Sequence, residues 1–204
     1  MGFASVACSF TRYRVLERPS ADFWTQVPAL LNRYAFQDID ALPDKIRSFG
    51  WTAFEDMLDI EWIVPPAKGA YLAFALRLET RRVPPAVLKK HYTIALREET
   101  RRTAGQGKQF ISRERKKELK EQVLQYLMRH FLPIPAIFDV IWATDLDLVY
   151  FASTQRKLLD IFEEYFVQCF AIPLEQLTPY GLAALSLTEQ ELNRLDTLEP
   201  TSFA

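Results

Sequence analysis

The chain has 204 residues, of which 49% are hydrophobic and 25% charged, a composition typical of a folded globular protein and not of a disordered chain or a coiled coil. The sequence lacks any run of about 18 uncharged apolar residues, which argues against a membrane-spanning helix, and its two cysteines predict a reducing compartment with no disulfide framework. The net charge of −1 conceals an asymmetry: residues 77–120 contain 14 Lys and Arg against 5 Asp and Glu, whereas the other 160 residues contain 11 against 21. A basic segment joined to an acidic body indicates a polyanionic partner, although a pair of solvated helices would give the same charge count.

The first part of the chain, residues 1–83, is predicted to combine several strands with one helix. Strand formers dominate residues 5–16, and Ser20 is the expected N-cap of a helix whose apolar residues recur at helical spacing. In a later strand, residues 71–80, the apolar side chains alternate onto one face, while Arg77 and Glu79 share the other. Two further strands are expected between these elements, at residues 50–54 and 60–64.

Two long helices are predicted in the central segment, residues 84–133. Pro84 and Pro85 favour a helix start, because proline is tolerated in the first turn of a helix. This helix is expected to end near Thr103, and Ser112 is the expected N-cap of the second helix.

The remaining residues are predicted to form a ββαβ part at 134–185 and a helix with a tail at 186–204. Strands at 137–143 and 148–152 flank a turn, Ser153 or Thr154 caps the next helix, and a strand follows at 172–174. Thr188 and Glu191 match a capping box for the last helix. Because strands and helices mix without strict alternation, the sequence predicts an α+β fold with mixed, largely antiparallel sheets and two long central helices, built as one continuous unit.

Two short motifs suggest chemistry that their surroundings do not support. Residues 105–108 begin like a phosphate loop, but Gln109 stands where that motif requires Ser or Thr, and a helix precedes it instead of a strand. Glu118 and Lys120 match the Glu-x-Lys of metal-dependent nucleases, whose carboxylates must converge from strands to hold Mg²⁺, whereas here they lie within a helix. A nuclease that uses Glu118 and an Asp is kept as the enzymatic alternative. The sequence otherwise predicts no catalytic residue, no metal site and no cofactor.

The basic segment points most directly to a function. On the first long helix, Lys90, Arg97 and Arg101 lie within about 20° of one line along the helix. On the second helix, several cations lie in the first two turns. Each exposed cation there interacts unfavourably with the helix dipole, which costs roughly 0.3 to 1 kcal/mol of helix stability. A phosphate at that helix start would meet both free N–H groups and cations. The predicted polyanion-binding residues are Arg81, Arg82, Lys89, Lys90, Arg97, Arg101, Arg102, Lys108, Arg113, Arg115, Lys116, Lys117 and Lys120.

An ordered series of motifs runs through residues 77–179. A charged strand end at residues 78–82 leads to Val83-Pro84-Pro85 and a helix bearing Lys89. Next comes the basic helix start from Ser112 to Glu121, with an apolar run that ends at Phe131-Leu132-Pro133. A strand bearing Trp142, a turn, a strand through Val149-Tyr150-Phe151 and a helix opened by Ala152-Ser153 follow. In this order the motifs resemble the bacterial recombination-associated protein RdgC family, and Gly50-Trp51 is similar to a Gly-Trp in its N-terminal part.

The resemblance implies a cytoplasmic, nucleoid-associated protein that binds DNA without sequence specificity. It also implies a homodimer that restrains the loading of recombinase on DNA, with no membrane partner. The better-known members of the family are longer and form closed rings. For this shorter chain the resemblance implies a dimer but does not imply that the dimer closes into a ring. The sequence thus predicts a non-enzymatic DNA-binding protein. The nuclease, and an interaction module whose basic arm docks an acidic protein, are the alternatives.

Overall fold

The computed structural model describes residues 2–42, 44–105 and 110–199, and these form an α+β fold around one sheet. The seven strands are β1 (Thr11–Val15), β2 (Arg47–Ala53), β3 (Ala67–Lys68), β4 (Tyr71–Thr80), β5 (Ile134–Ala143), β6 (Leu148–Phe151) and β7 (Leu174–Gln176). The helices are α1 (Ala21–Arg33), α2 (Pro85–Gly105), α3 (Arg113–His130), α4 (Arg156–Phe170), α5 (Pro179–Ser186) and α6 (Glu189–Asp196). The predicted α+β class and the two long central helices are confirmed.

The sheet has the strand order β2-β4-β5-β6-β1-β7, with β3 also paired to β4. The sequence predicted mixed, largely antiparallel sheets; all of these strand pairs are antiparallel, and they belong to one sheet. The longest pair joins β4 to β5 from Tyr71 opposite Ala143 to Thr80 opposite Ile134. Strands from residues 1–83 and from residues 134–185 are interleaved within this sheet.

The core lies between one face of the sheet and helices α1 and α4. Alternate residues of β4 supply Leu72, Phe74 and Leu76, as the pattern of that strand predicts. Aromatic side chains fill much of the space, and the rings of Phe151 and Phe162 stack with their centroids 4.2 Å apart. Among the described residues, no helix is both long and apolar enough to cross a membrane.

The second face of the sheet is also covered near β2 and β4, which the sequence did not predict. Arg77 and Glu79 are only 8% and 3% exposed, and they form an ion pair. The Arg77 guanidinium lies over the Phe36 ring and donates to the carbonyl oxygen of Met57 at 3.0 Å. Gly50 permits the close approach of this covering segment, because a Cβ there would lie 2.4 Å from the Cα of Phe36. Arg77 therefore belongs to the folded body and not to a basic surface.

Several predicted element boundaries are corrected by the structure. The strand expected at 60–64 is an irregular loop, because the Asp59 carboxylate accepts hydrogen bonds from the backbone N–H groups of Glu61, Ile63 and Val64. The strand expected at 5–16 is confined to Thr11–Val15, and the one at 172–174 lies instead at Leu174–Gln176. Helix α4 has Gln155 as its N-cap residue in place of Ser153 or Thr154. Helix α5 was not predicted.

Two predicted caps are confirmed. The Ser112 hydroxyl accepts a hydrogen bond from the backbone N–H of Arg115 at 3.1 Å. The capping box of α6 is present, with both the Thr188 side chain and the Glu191 side chain engaged. These local signals fix where α3 and α6 begin, and α3 carries five of the thirteen predicted cations.

Candidate nucleic-acid interface

Helices α2 and α3 form an antiparallel hairpin between β4 and β5. The two helices pack against each other, and neither packs extensively on the sheet. No described side chain of α2 is fully buried, and α3 buries only Leu119 and Leu127. Much of the surface of both helices is therefore exposed to solvent.

A carboxylate on α2 ties the two helices together. Glu99 accepts from the Arg115 guanidinium of α3 at 2.8 Å and from Arg102 of its own helix at 3.0 Å. Arg115 also pairs with Glu118 at 3.1 Å. The hydrogen bond from Arg115 lowers the pKa of Glu99 below its ordinary value and raises the pKa of Arg115. Arg115, which was predicted to bind a polyanion, thus joins the two helices, and Arg102, predicted likewise, is paired within α2.

Four cations on α3 form an exposed stripe. Arg113, Lys116, Lys117 and Lys120 have the spacing i, i+3, i+4 and i+7, which places them within a sector of about 100°. All four are exposed, and none makes an ion pair within the described part of the chain. Only Glu114 offsets them in the first turn of the helix. We call these four residues the α3 stripe.

The outer face of α2 carries a second group of exposed cations. Lys90, Arg97 and Arg101 lie on the side of the helix opposite its half-buried residues, and Lys89 is exposed beside them. None of the four pairs with a carboxylate anywhere in residues 2–42, 44–105 and 110–199. The hairpin therefore presents cations on both helices.

Arg81 is placed differently from the way the sequence predicts. Its side chain is 3% exposed, and its guanidinium is surrounded by backbone carbonyl oxygens. These oxygens belong to Ile39, Asp40, Leu42, Lys45 and Phe131. Because its donors are already used inside the fold, Arg81 is a structural residue at the base of the hairpin, and its assignment as a phosphate ligand is withdrawn.

The other two predicted residues are Arg82 and Lys108. Arg82 is exposed at the base of the hairpin, where it lines a groove of about 620 Å³. Lys108 lies outside the residues that the structure describes. Of the thirteen predicted residues, eight are unpaired cations of the hairpin, four in the α3 stripe and four on the outer face of α2, and the two groups lie on the sides of their helices away from the Glu99–Arg115 contact.

The carboxylates of the nuclease alternative are not assembled into a site. Glu118 is engaged by Arg115, and Asp147 lies 3.6 Å from the Arg18 guanidinium. Asp139 is buried, accepts from the backbone N–H of Phe3 at 2.8 Å, and has its pKa raised by burial. Within the described residues, no three His, Cys, Asp or Glu side chains are grouped as metal ligands.

Three features escaped the sequence analysis. Glu99 was not recognised as the residue that joins the helices, because its i, i+3 spacing to Arg102 signals only a pair within α2. The burial of Arg81 had no local signal, because its carbonyl partners come from segments up to 50 residues away. The groove beside Arg82 depends on strand register and could not be read from sequence.

Comparison with models of known protein families and with curated protein sequences gives no match for this chain.

Proposed function

We propose that this protein binds DNA without sequence specificity through the exposed cations of its α2–α3 hairpin. The observation that carries the proposal is the α3 stripe: Arg113, Lys116, Lys117 and Lys120 share one helix face and have no intramolecular ion pair among the described residues. Elsewhere on the hairpin, Arg102 and Arg115 are paired with Glu99, so cation pairing was possible in this part of the fold. The cations left unpaired are the ones placed to neutralise an external anion.

The mechanism is electrostatic. Each Lys or Arg that neutralises a phosphate releases counterions from the DNA, which drives binding at low salt. Phosphates near the first turn of α3 also meet backbone N–H groups that have no partner within the helix and favour negative charge. Because contacts to phosphates carry no direct sequence information, binding through these cations is expected to be independent of sequence.

The biological setting of the proposal rests on the resemblance to the RdgC family. On that basis the protein acts in recombination, restrains recombinase loading, associates with the nucleoid in the cytoplasm and forms a homodimer. Light scattering at tens of micromolar, with and without duplex DNA, tests the dimer, and a monomer under both conditions would count against this part of the proposal. The electrostatic argument stands on the hairpin alone and does not need the dimer.

The test of DNA binding uses the variant Lys116→Gln with Lys117→Gln and Lys120→Gln. Arg115 is left unchanged, because its loss would also open the contact to Glu99. Glutamine keeps good helix propensity, so α3 should remain folded. The three residues lie within about 100° of the helix circumference and can approach one duplex together. The log–log salt slope of binding is therefore expected to shrink by about 2, out of a maximum of about 2.7 for three duplex contacts.

The matched control removes the same charge elsewhere: Arg12→Gln with Arg33→Gln and Arg194→Gln. These three arginines are exposed, lie outside the hairpin and make no ion pair within the described residues. Fluorescence anisotropy on two unrelated duplexes at several salt concentrations gives both slopes. If the hairpin variant and the control weaken binding equally, the effect is one of net charge, and the proposal is wrong.

The interaction-module and nuclease alternatives predict different outcomes when the same protein samples are mixed with duplex DNA. A protein-docking arm predicts only weak duplex binding at low salt, which is lost near physiological ionic strength. A nuclease predicts Mg²⁺-dependent cleavage that Glu118→Gln abolishes, whereas the proposal predicts an intact duplex.

A further inference from the structure

A groove of about 620 Å³ lies at the base of the hairpin, where α4 begins. The end of the β4–β5 pair lines this groove, from Leu78 opposite Ala136 to Thr80 opposite Ile134. Leu78 continues the alternation of the core-facing side chains of β4, so this end of the core face is not fully covered by a helix. Ile134, at the mouth of the groove, is 57% exposed.

The floor of the groove is apolar. Leu78 and Ala136 come from the sheet, and Leu158 and Ile161 come from the first two turns of α4. Leu158 is buried and the other three are half-buried, so the floor is continuous with the hydrophobic core. A partner that inserts apolar side chains here would remove this surface from water and gain about 25 cal/mol for each Å² buried.

The rim of the groove is positively charged. Arg47 at the start of β2, Arg82 after β4 and Lys157 in the first turn of α4 come from three separate elements. All three are exposed, and none is ion-paired within the part of the chain that the structure describes. The one acidic side chain of the rim, Asp160, is paired with Arg156 at 3.0 Å. The groove thus combines an apolar floor with a rim that attracts anions.

We propose that this groove is a docking site for an acidic protein segment that carries apolar side chains. Charge complementarity selects the acidic residues of such a segment, and the floor accepts its apolar residues as anchors. Nucleic acid fits less well, because phosphates gain nothing from Leu78, Ala136 and Ile161. The inference goes beyond the proposed DNA binding, since it concerns a different ligand and, apart from Arg82, different residues.

The test measures fluorescence anisotropy with three labelled twelve-residue peptides. The first alternates Glu with Leu and Phe, the second has Ser in place of Leu and Phe, and the third has Lys in place of Glu. Only the first is expected to bind the unmodified protein. The double variant Arg47→Gln with Lys157→Gln should weaken that binding by about fivefold, the effect of two partly exposed charge contacts. Ala136→Phe, which fills the floor, should abolish it.

The control variant Arg12→Gln with Arg33→Gln removes the same charge outside the groove and should bind the peptide normally. The hairpin variant of Lys116, Lys117 and Lys120 should also bind the peptide normally, so failure of the DNA proposal and failure of this one can be distinguished. Thermal unfolding of each variant checks that the fold is intact. If Ala136→Phe is misfolded, the charge variant decides the result by itself.

Four results would overturn the inference. The first is no binding of the Glu-Leu-Phe peptide by the unmodified protein. The second is equal binding of the Ser or Lys peptide. The third is an unchanged peptide affinity in the Arg47 and Lys157 double variant. The fourth is a loss of duplex affinity in that double variant as large as in the hairpin variant, which would assign the groove to the nucleic-acid surface.

Discussion

Arg81 and Arg82 are adjacent arginines with opposite environments, and replacing each by methionine tests the reassignment of Arg81. The Arg81 side chain is 3% exposed, whereas Arg82 is exposed to solvent. Methionine retains much of the length of arginine and its apolar stem but has no donors. In Arg81→Met, five carbonyl oxygens lose a charged hydrogen-bond donor. Arg82→Met loses no described hydrogen bond and serves as the control.

The expected magnitude follows from these contacts. A hydrogen bond to a charged group contributes about 1.5–3 kcal/mol, but three of the five carbonyl oxygens share one Arg81 nitrogen, so their contributions do not add. Breaking a buried, hydrogen-bonded charge costs about 3–5 kcal/mol, which is the loss of unfolding free energy expected for Arg81→Met. For a chain of this size that corresponds to a fall in the melting temperature of roughly 10 °C or more. Arg82→Met should stay within about 0.5 kcal/mol of the unmodified protein.

Urea unfolding followed by tryptophan fluorescence gives both free energies, and duplex binding is measured on the same samples at a temperature where both variants are folded. Arg81→Met should lose stability while its salt slope of binding stays unchanged. The opposite result, an unchanged unfolding free energy with a slope reduced by about 0.9, would show that Arg81 contacts phosphate and that its burial has been misinterpreted.

The contact between Glu99 and Arg115 gives a pH-dependent prediction. Because the folded pKa of Glu99 lies below its ordinary value of 4.5, this contact stabilises the hairpin above about pH 4.5 and is lost as the pH falls through the lowered pKa. Glu99→Gln should therefore lower the urea midpoint at pH 7 and change it less at pH 3, and an equal effect at both values would contradict the linkage. Gly50→Ala should cost about 3 kcal/mol in unfolding free energy, because its Cβ would overlap backbone atoms. Gly105→Ala, which meets nothing within 4 Å, should gain about 0.5–1 kcal/mol, and similar results for the two glycines would refute the packing argument.

Much of the fold could be predicted because its signals are local. The alternation in β4 identified a strand that has neighbours on both sides in the sheet, and Ser112 marked the start of α3. The pairing of strands distant in sequence, such as Thr11 with Phe151, could not be predicted, because nothing in either segment specifies its partner. The strand expected at 60–64 was wrong because the Asp59 carboxylate competes for the backbone N–H groups of that segment.

Part of the candidate site could likewise be predicted from local sequence patterns, and part of it could not. Helical spacing correctly placed Lys90, Arg97 and Arg101 on one face of α2, since that periodicity depends only on the helix. It could not show that Arg81 is buried and Arg82 exposed, because that difference arises from the carbonyl groups of residues 39–45 and of Phe131. Charge counting identified the basic segment, and tertiary structure then determined which of its cations are accessible.

The stability of the hairpin and its charge distribution both favour an external polyanion as its ligand. Helix α2 has no fully buried side chain among its described residues, so the hairpin depends on Leu119, Leu127 and the Glu99 contact. Placing the α3 stripe at a helix start weakens this hairpin further, both by mutual repulsion and by opposing the helix dipole. The carboxylates that offset the charge of the chain lie mostly in the body, outside residues 77–120, where they do not pair with the stripe. An external polyanion would relieve both unfavourable effects at once, and its binding would stabilise the hairpin more than any other part of the fold.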